Sequence, residues 1–79
     1  MVVAVSFVNT VLSHEVKVRR KLSMFEGVRT IIELFGEYDF MLIIDVETLR
    51  QVNYIVDHIR EIEGVKSTKT IIGANTDSQ

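Results

Sequence analysis

The chain has 79 residues, which is the size of one small domain. A domain this small buries only about 63% of the surface that its unfolded chain exposes, so its own core leaves little margin of stability. Cysteine is absent, so neither disulfides nor cysteine-bound zinc can add stability. Because 47% of the residues are hydrophobic, which is more than so small a core can bury, we predict that the chain is an obligate homo-oligomer.

The charge balance argues against phosphate-rich partners. Nine basic and eleven acidic side chains give a net charge of −2, which provides no overall attraction to nucleic acid. No apolar stretch approaches the ~20 residues that span a bilayer, and residues 1–8 lack the basic flank and cleavage pattern of a signal peptide. We predict a cytoplasmic protein that contacts neither nucleic acid nor membrane directly.

The chain is predicted to open with a strand and a helix. Residues 2–8 are mostly β-branched and apolar on both alternating faces, which is typical of a central strand with two buried faces. Charged residues then separate apolar ones over residues 11–25, which favours a helix. Gly27 is placed to end that helix in the left-handed conformation.

A β-hairpin is predicted next. Residues 28–35 form its first strand, Gly36 begins the connection, and the second strand is Phe40–Val46. Strict alternation in the first strand assigns its two faces to Val28, Thr30, Ile32 and Leu34, and to Arg29, Ile31, Glu33 and Phe35.

A second helix and a last strand complete the prediction. Thr48 and Gln51 have the spacing of a capping box, and apolar residues recur every three or four positions after them until Gly64. Residues 65–72 form the last strand, and residues 74–79 are a polar tail without a core-facing pattern.

The element order β-α-β-β-α-β predicts a single α+β domain over residues 1–73. Right-handed crossovers then give a ferredoxin-like plait, in which a four-stranded antiparallel sheet carries both helices on one face. The other sheet face is too apolar for water, so we expect a second copy to cover it, sheet against sheet, as a dimeric α+β barrel.

Residues that carry enzymatic chemistry are scarce. The four glycines are single, and neither a nucleophile elbow nor a zinc-protease motif occurs. His14 and His58 are far apart in sequence and are more simply read as surface or boundary residues. We therefore predict no catalytic residue, metal site or cofactor.

Two polar groups remain as candidates for binding. Tyr38 and Asp39 follow Gly36 in the hairpin connection, where, taken alone, turn-forming and packing roles are the better explanation. Thr68 and Thr70 share one face of the last strand, where strand preference is the default explanation, although their hydroxyls could also bond a polar ligand.

The order of these motifs resembles one known family. Gly36-x-Tyr38-Asp39, a helix ending in Gly64, and then Thr68-x-Thr70 are similar to the effector-binding or RAM domain of Lrp/AsnC transcriptional regulators, over nearly the whole chain. The family's N-terminal helix-turn-helix domain has no counterpart here, so the chain resembles a stand-alone version.

The resemblance implies a function and a set of site residues. Family domains dimerise through their sheets and assemble into rings, commonly octamers, with amino-acid effectors between dimers. The resemblance implies that the effector pocket is shaped by Gly36, Tyr38 and Asp39 and lined by Thr68 and Thr70. Asp39 would accept the effector's ammonium group. A full-length Lrp/AsnC regulator is the expected protein partner.

Two other classes remain open. A small dimeric α+β-barrel enzyme, monooxygenase-like or isomerase-like, shares this architecture, because a fold does not fix a function. Such an enzyme would need a pocket inside each monomer beside His14 or His58. An amino-acid-sensing domain of the ACT type shares topology and ligand class, but the Gly-x-Tyr-Asp hairpin favours the RAM domain.

Overall fold

The computed structural model describes residues 1–73 and confirms the predicted ferredoxin-like fold. The elements in chain order are β1 (Val2–Thr10), α1 (Glu15–Leu22), β2 (Val28–Glu33), β3 (Phe40–Val46), α2 (Leu49–Arg60) and β4 (Val65–Ile72). The four strands form one antiparallel sheet in the order β2-β3-β1-β4. The predicted polar tail, residues 74–79, lies outside the described residues.

The core lies between one face of the sheet and the two helices. Every second residue of β1, from Ala4 to Thr10, is buried, as alternation along a strand predicts. Both helices contribute to the same cluster, so both cover this face. The buried apolar side chains are Ala4, Val8, Val18, Leu22, Phe40, Leu42, Ile44, Val52, Ile55, Val56 and Ile59.

Helix α1 is shorter than the predicted span of residues 11–25. Ser13 has a φ of 76°, a left-handed conformation that a helix cannot continue through. Before it, the Val11 amide donates to the Gly64 carbonyl at 2.7 Å, which holds the start of the loop against the α2–β4 connection. Phe25 packs against the core from the loop that follows α1.

The prediction for Gly27 was wrong. Among the described glycines, Gly36 and Gly64 adopt positive φ values, of 122° and 102°, and Gly27 does not. Gly27 is instead favoured by packing, because a Cβ there would lie 2.5 Å from Ile55 Cδ1 and 2.6 Å from Val46 Cγ1, and these side chains would have to shift.

The predicted alternation of β2 was also wrong. The pairing with β3 shifts between Val28 and Thr30, whose partners are the adjacent residues Ile44 and Ile43. This bulge inserts one residue, so Val28 and Ile31 both pack against the core. The strand ends at Glu33, two residues earlier than predicted.

The predicted capping box of α2 is confirmed. The Gln51 amide donates to Thr48 Oγ1 at 3.2 Å, and the Thr48 amide donates to Gln51 Oε1 at 2.9 Å. Two of the helix's unpaired amide groups are thereby satisfied, which fixes where α2 begins. Within residues 1–73, no helix has the length and apolar character needed to cross a membrane.

The second face of the sheet is not covered by any element within residues 1–73. We call it the open face, and its central residues pair across neighbouring strands, with Val5 opposite both Ile43 and Ile71. Its apolar members are Val3, Val5, Phe7, Ile32, Met41, Ile43 and Ile71. An apolar surface of this kind is typical of a protein interface.

Candidate functional site

The connection between β2 and β3 is fastened to the sheet on both sides. The Leu34 amide donates to the Asp39 carbonyl at 2.9 Å, and the Asp39 amide donates to the Val8 carbonyl at 2.9 Å. Gly36, with its positive φ, lies exposed at the tip. Residues 34–39 therefore form a defined loop at one end of the sheet.

Asp39 is held at this end by the last residue of β1. Its Oδ2 accepts from the Thr10 amide at 2.7 Å and from Thr10 Oγ1 at 3.0 Å. In the described part of the chain, Oδ1 has no hydrogen-bond partner. One carboxylate oxygen thus fixes the side chain, while the other is free to accept from a ligand.

A groove of about 380 Å³ runs beside Asp39. We call it the hairpin groove; its lining residues are Glu15, Val16, Arg19, Glu33, Leu34, Phe35, Asp39 and Phe40. Arg19 Nε pairs with Glu33 Oε2 at 3.0 Å across it. Phe35 is fully exposed and Val16 is 72% exposed, so apolar side chains border the polar centre.

Tyr38 lies on the other side of the sheet from the hairpin groove. Its ring packs against Phe7, with the centroids 5.3 Å apart, and Phe7 belongs to the open face. Tyr38 and Asp39 are adjacent in sequence, yet the first contacts the open face and the second contacts the groove. The hairpin therefore links these two surfaces.

Thr68 and Thr70 lie away from the hairpin loop. Thr70 Oγ1 is 3.0 Å from Oγ of the fully buried Ser6, and Thr68 Oγ1 accepts from Arg60 Nε at 3.0 Å. Both belong to β4, which β1 separates from β3 and the hairpin. Among the described residues, no hydrogen bond joins these threonines to the loop, so one chain holds the predicted site residues in two separate sets.

Sequence reasoning missed Thr10 and Phe35 as parts of the site. A threonine at the end of a β-branched strand carries no local signal that it will bind a carboxylate 29 positions away. Alternation predicts Phe35 as a strand residue, although it lies beyond the end of β2. Its position directly before Gly36 is the one sequence feature that could have indicated a place in the loop.

Neither histidine lines the hairpin groove. His58 Nδ1 lies 2.7 Å from the Tyr54 carbonyl, and its ring stacks on Tyr54 with centroids 4.1 Å apart. His14 packs beside Gly64, and its buried Nδ1 has no hydrogen-bond partner among residues 1–73. Over residues 1–73, no group of three histidine or acidic side chains is arranged to hold a metal ion.

The charges near His14 are neutralised locally. Lys17 Nζ donates to Glu63 Oε1 at 3.1 Å. This hydrogen bond and the charge of Lys17 hold the pKa of the Glu63 carboxyl below its ordinary value of 4.5. The pair is exposed to solvent and ties α1 to the α2–β4 connection.

Fold and site together narrow the class of protein but do not fix it. A ferredoxin-like sheet with a groove at its hairpin end and an uncovered apolar face is compatible with several functions, because a fold does not fix a function. The chain belongs to the Lrp/AsnC ligand binding domain family, whose model matches residues 3–76.

Solved structures agree with this assignment. The chain superposes on the hypothetical protein PHS023 from Pyrococcus horikoshii with a TM-score of 0.86 at 27% identity, covering 98% of this chain and 94% of that one. It superposes on the transcriptional regulator NMB0573 from Neisseria meningitidis, solved as an L-Met complex, with a TM-score of 0.81. That match covers 96% of this chain and 51% of the regulator; at 15% identity it shows the fold alone.

A family of enzymes carries a related segment. Homocitrate synthase from Sulfolobus acidocaldarius is 38% identical over 53 residues, which is 67% of this chain. The matched segment spans only 11% of the enzyme's length.

Proposed function

We propose that the chain is a non-enzymatic module that binds a small amino-acid effector and transmits its presence through assembly with other proteins in the cytoplasm. The observation that carries the proposal is the family match across residues 3–76. The L-Met complex of the Neisseria meningitidis regulator supports amino acids as the ligand class. The two histidines, both outside the hairpin groove, favour this function over a barrel enzyme.

The hairpin groove is the proposed effector site. Asp39 Oδ1, which has no partner in residues 1–73, accepts the effector's ammonium group, because carboxylate–ammonium hydrogen bonds are strong when partly shielded from water. Gly36 and Tyr38 shape the loop around it. Thr68 and Thr70 are proposed to line the site from a neighbouring copy, since β1 separates them from the hairpin within one chain.

The assembly has two levels in this proposal. A second copy covers the open face and forms a homodimer, sheet against sheet, which removes the apolar surface from water. Dimers then join into a ring of the octamer type, with effectors at their junctions. A full-length Lrp/AsnC regulator is the proposed partner that supplies DNA binding.

A thermal-shift screen with the twenty standard amino acids tests the effector site. An effector at about 100 times its Kd should raise the Tm by about 10 °C or more. Asp39→Asn should abolish the shift, measured against the Tm of that variant alone. Asp57→Asn, an exposed carboxylate on α2, is the matched control and should keep it. A shift that survives Asp39→Asn places the ligand elsewhere, and no shift with any amino acid contradicts the effector proposal.

A second candidate function is control of an enzyme in trans. The segment shared with homocitrate synthases is more similar in sequence than the structurally matched regulator is, at 38% against 15% identity. The chain would then bind a synthase of that type as a regulatory subunit. Co-elution with the Sulfolobus acidocaldarius enzyme trimmed of its matching segment tests this, and separate elution at micromolar concentration rejects it.

A further inference from the structure

A second and larger groove lies at the opposite end of the sheet from the hairpin groove. It has a volume of about 430 Å³, within the range of small-molecule sites, and we call it the α2 groove. The residues that line it come from the α1–β2 connection, the end of β3 and the start of α2, and are Phe25, Glu26, Gly27, Asp45, Val46, Glu47, Gln51, Tyr54 and Ile55.

The α2 groove has an apolar wall and an aromatic rim. Phe25, Val46 and Ile55 are its buried or half-buried members and belong to the core or pack against it. Tyr54 is 61% exposed; His58 packs on part of its ring, and the exposed remainder is available to a ligand. This combination can take up an aliphatic or aromatic body and place a cation against the ring.

The charged residues that line the α2 groove, Glu26, Asp45 and Glu47, are all acidic. Asp45 is already paired, because Arg29 Nη1 donates to its Oδ2 at 3.0 Å. Glu26 and Glu47 are exposed, and neither has an ion pair within residues 1–73. An ammonium group would therefore find two unpaired carboxylates, whereas the carboxylate of an amino acid would be repelled by them.

The frame of the α2 groove is fixed before any ligand arrives. The Asp45 amide donates to the Gly27 carbonyl at 2.9 Å, joining two of its walls. Gln51 Oε1 accepts from the Glu47 amide at 3.0 Å and from the Thr48 amide at 2.9 Å. A rigid site loses less entropy on binding.

We propose that the α2 groove binds a small organic amine, in which an apolar body lies against the buried wall and an ammonium group bonds Glu26 and Glu47. The site is separate from the hairpin groove and does not depend on the proposed effector function. Its ligand class also differs, because an amine without a carboxylate suits a rim that carries only acidic charges.

Amide-resolved NMR titration with 2-phenylethylamine and 1,5-diaminopentane tests the site, with pentanoate as the anionic control. Saturable shifts should appear at Glu26, Glu47 and Tyr54, and pentanoate should produce none. Glu26→Gln and Glu47→Gln should each weaken binding about tenfold, because each replaces a charged acceptor of the ammonium group with a neutral one. Glu37→Gln, an exposed carboxylate at the hairpin, should leave the affinity unchanged.

Three outcomes overturn the proposal. The first is a set of amide chemical-shift changes that do not saturate, or that potassium chloride reproduces at equal ionic strength. The second is an amine affinity that is unchanged by both glutamine substitutions. The third is a set of chemical-shift changes centred on Asp39. Both substitutions lie on exposed side chains, so their NMR spectra show directly whether the fold is retained. The amino-acid screen with Asp39→Asn reports on the other groove, and the two results are independent.

Discussion

Asp39 fastens the hairpin to the end of β1 by accepting two hydrogen bonds from Thr10 on a single oxygen, at 2.7 Å from the amide and 3.0 Å from the hydroxyl. Thr10 is only 8% exposed, so water cannot easily replace the carboxylate. The same side chain therefore supports the loop and presents its second oxygen to the hairpin groove.

Asp39→Ala is expected to lower the free energy of unfolding by about 1–3 kcal/mol, because it leaves the buried Thr10 amide without an acceptor. Asp39→Asn keeps a side-chain oxygen in place and should lower the free energy of unfolding by less than Asp39→Ala does. Urea denaturation of both variants measures the difference. Equal losses would mean that the Thr10 bonds contribute little to stability.

Gly27→Ala is expected to destabilise the fold by about 1–3 kcal/mol, since its Cβ would meet Ile55 Cδ1 at 2.5 Å and Val46 Cγ1 at 2.6 Å. Ile55→Val removes the first of these atoms, so the double variant should lose less than the sum of the two single changes. A thermodynamic cycle from urea denaturation measures this coupling. Strict additivity would show that the contact relaxes without strain.

Val5→Lys is expected to convert a dimer into a monomer, because Val5 lies between Ile43 and Ile71 on the open face, where a buried charge has no partner. Sedimentation equilibrium measures the mass. Leu12→Lys introduces the same charge at a side chain that is 84% exposed and should leave the dimer intact. A wild-type chain that is monomeric at micromolar concentration contradicts the assembly.

Thr70→Val is expected to lower the free energy of unfolding by about 1–3 kcal/mol, because it leaves the fully buried Ser6 hydroxyl without its partner at 3.0 Å. Adding Ser6→Ala removes the stranded group and should recover much of that loss. The pair is measured by chemical denaturation. A double variant no more stable than Thr70→Val would assign the loss to the shape of the Thr70 side chain.

Local signals in the sequence predict the elements whose ends depend on neighbouring residues. The capping box set the start of α2, and the apolar runs set the bounds of β3 and β4. Gly27 and the β2 bulge were missed because distant contacts decide them: Ile55 lies 28 positions from Gly27, and the bulge is a property of pairing with β3. The alternation of apolar and polar residues along one strand carries no information about either of these distant contacts.

The candidate site also has features that local motifs indicate and features that depend on distant contacts. The family resemblance implies Asp39 as a binding residue, and the structure places its carboxylate beside the hairpin groove, with Oδ1 unbonded among residues 1–73. Its fastening to Thr10, and the separation of Thr68 from the hairpin, depend on the strand order, because β1 lies between β3 and β4. Strand order is a long-range property that short motifs do not encode.

The adjacent positions of Tyr38 and Asp39 have a thermodynamic consequence. Tyr38 packs on Phe7 at the open face, and Asp39 borders the hairpin groove, so a ligand that shifts this loop acts on both surfaces. Linkage is reciprocal, and whatever factor the ligand adds to the association constant of two chains, association adds to the ligand's affinity. For a ligand that strengthens association, the half-saturating ligand concentration falls as the protein concentration rises, and for one that weakens association it rises, so the abundance of the chain becomes part of its own sensitivity.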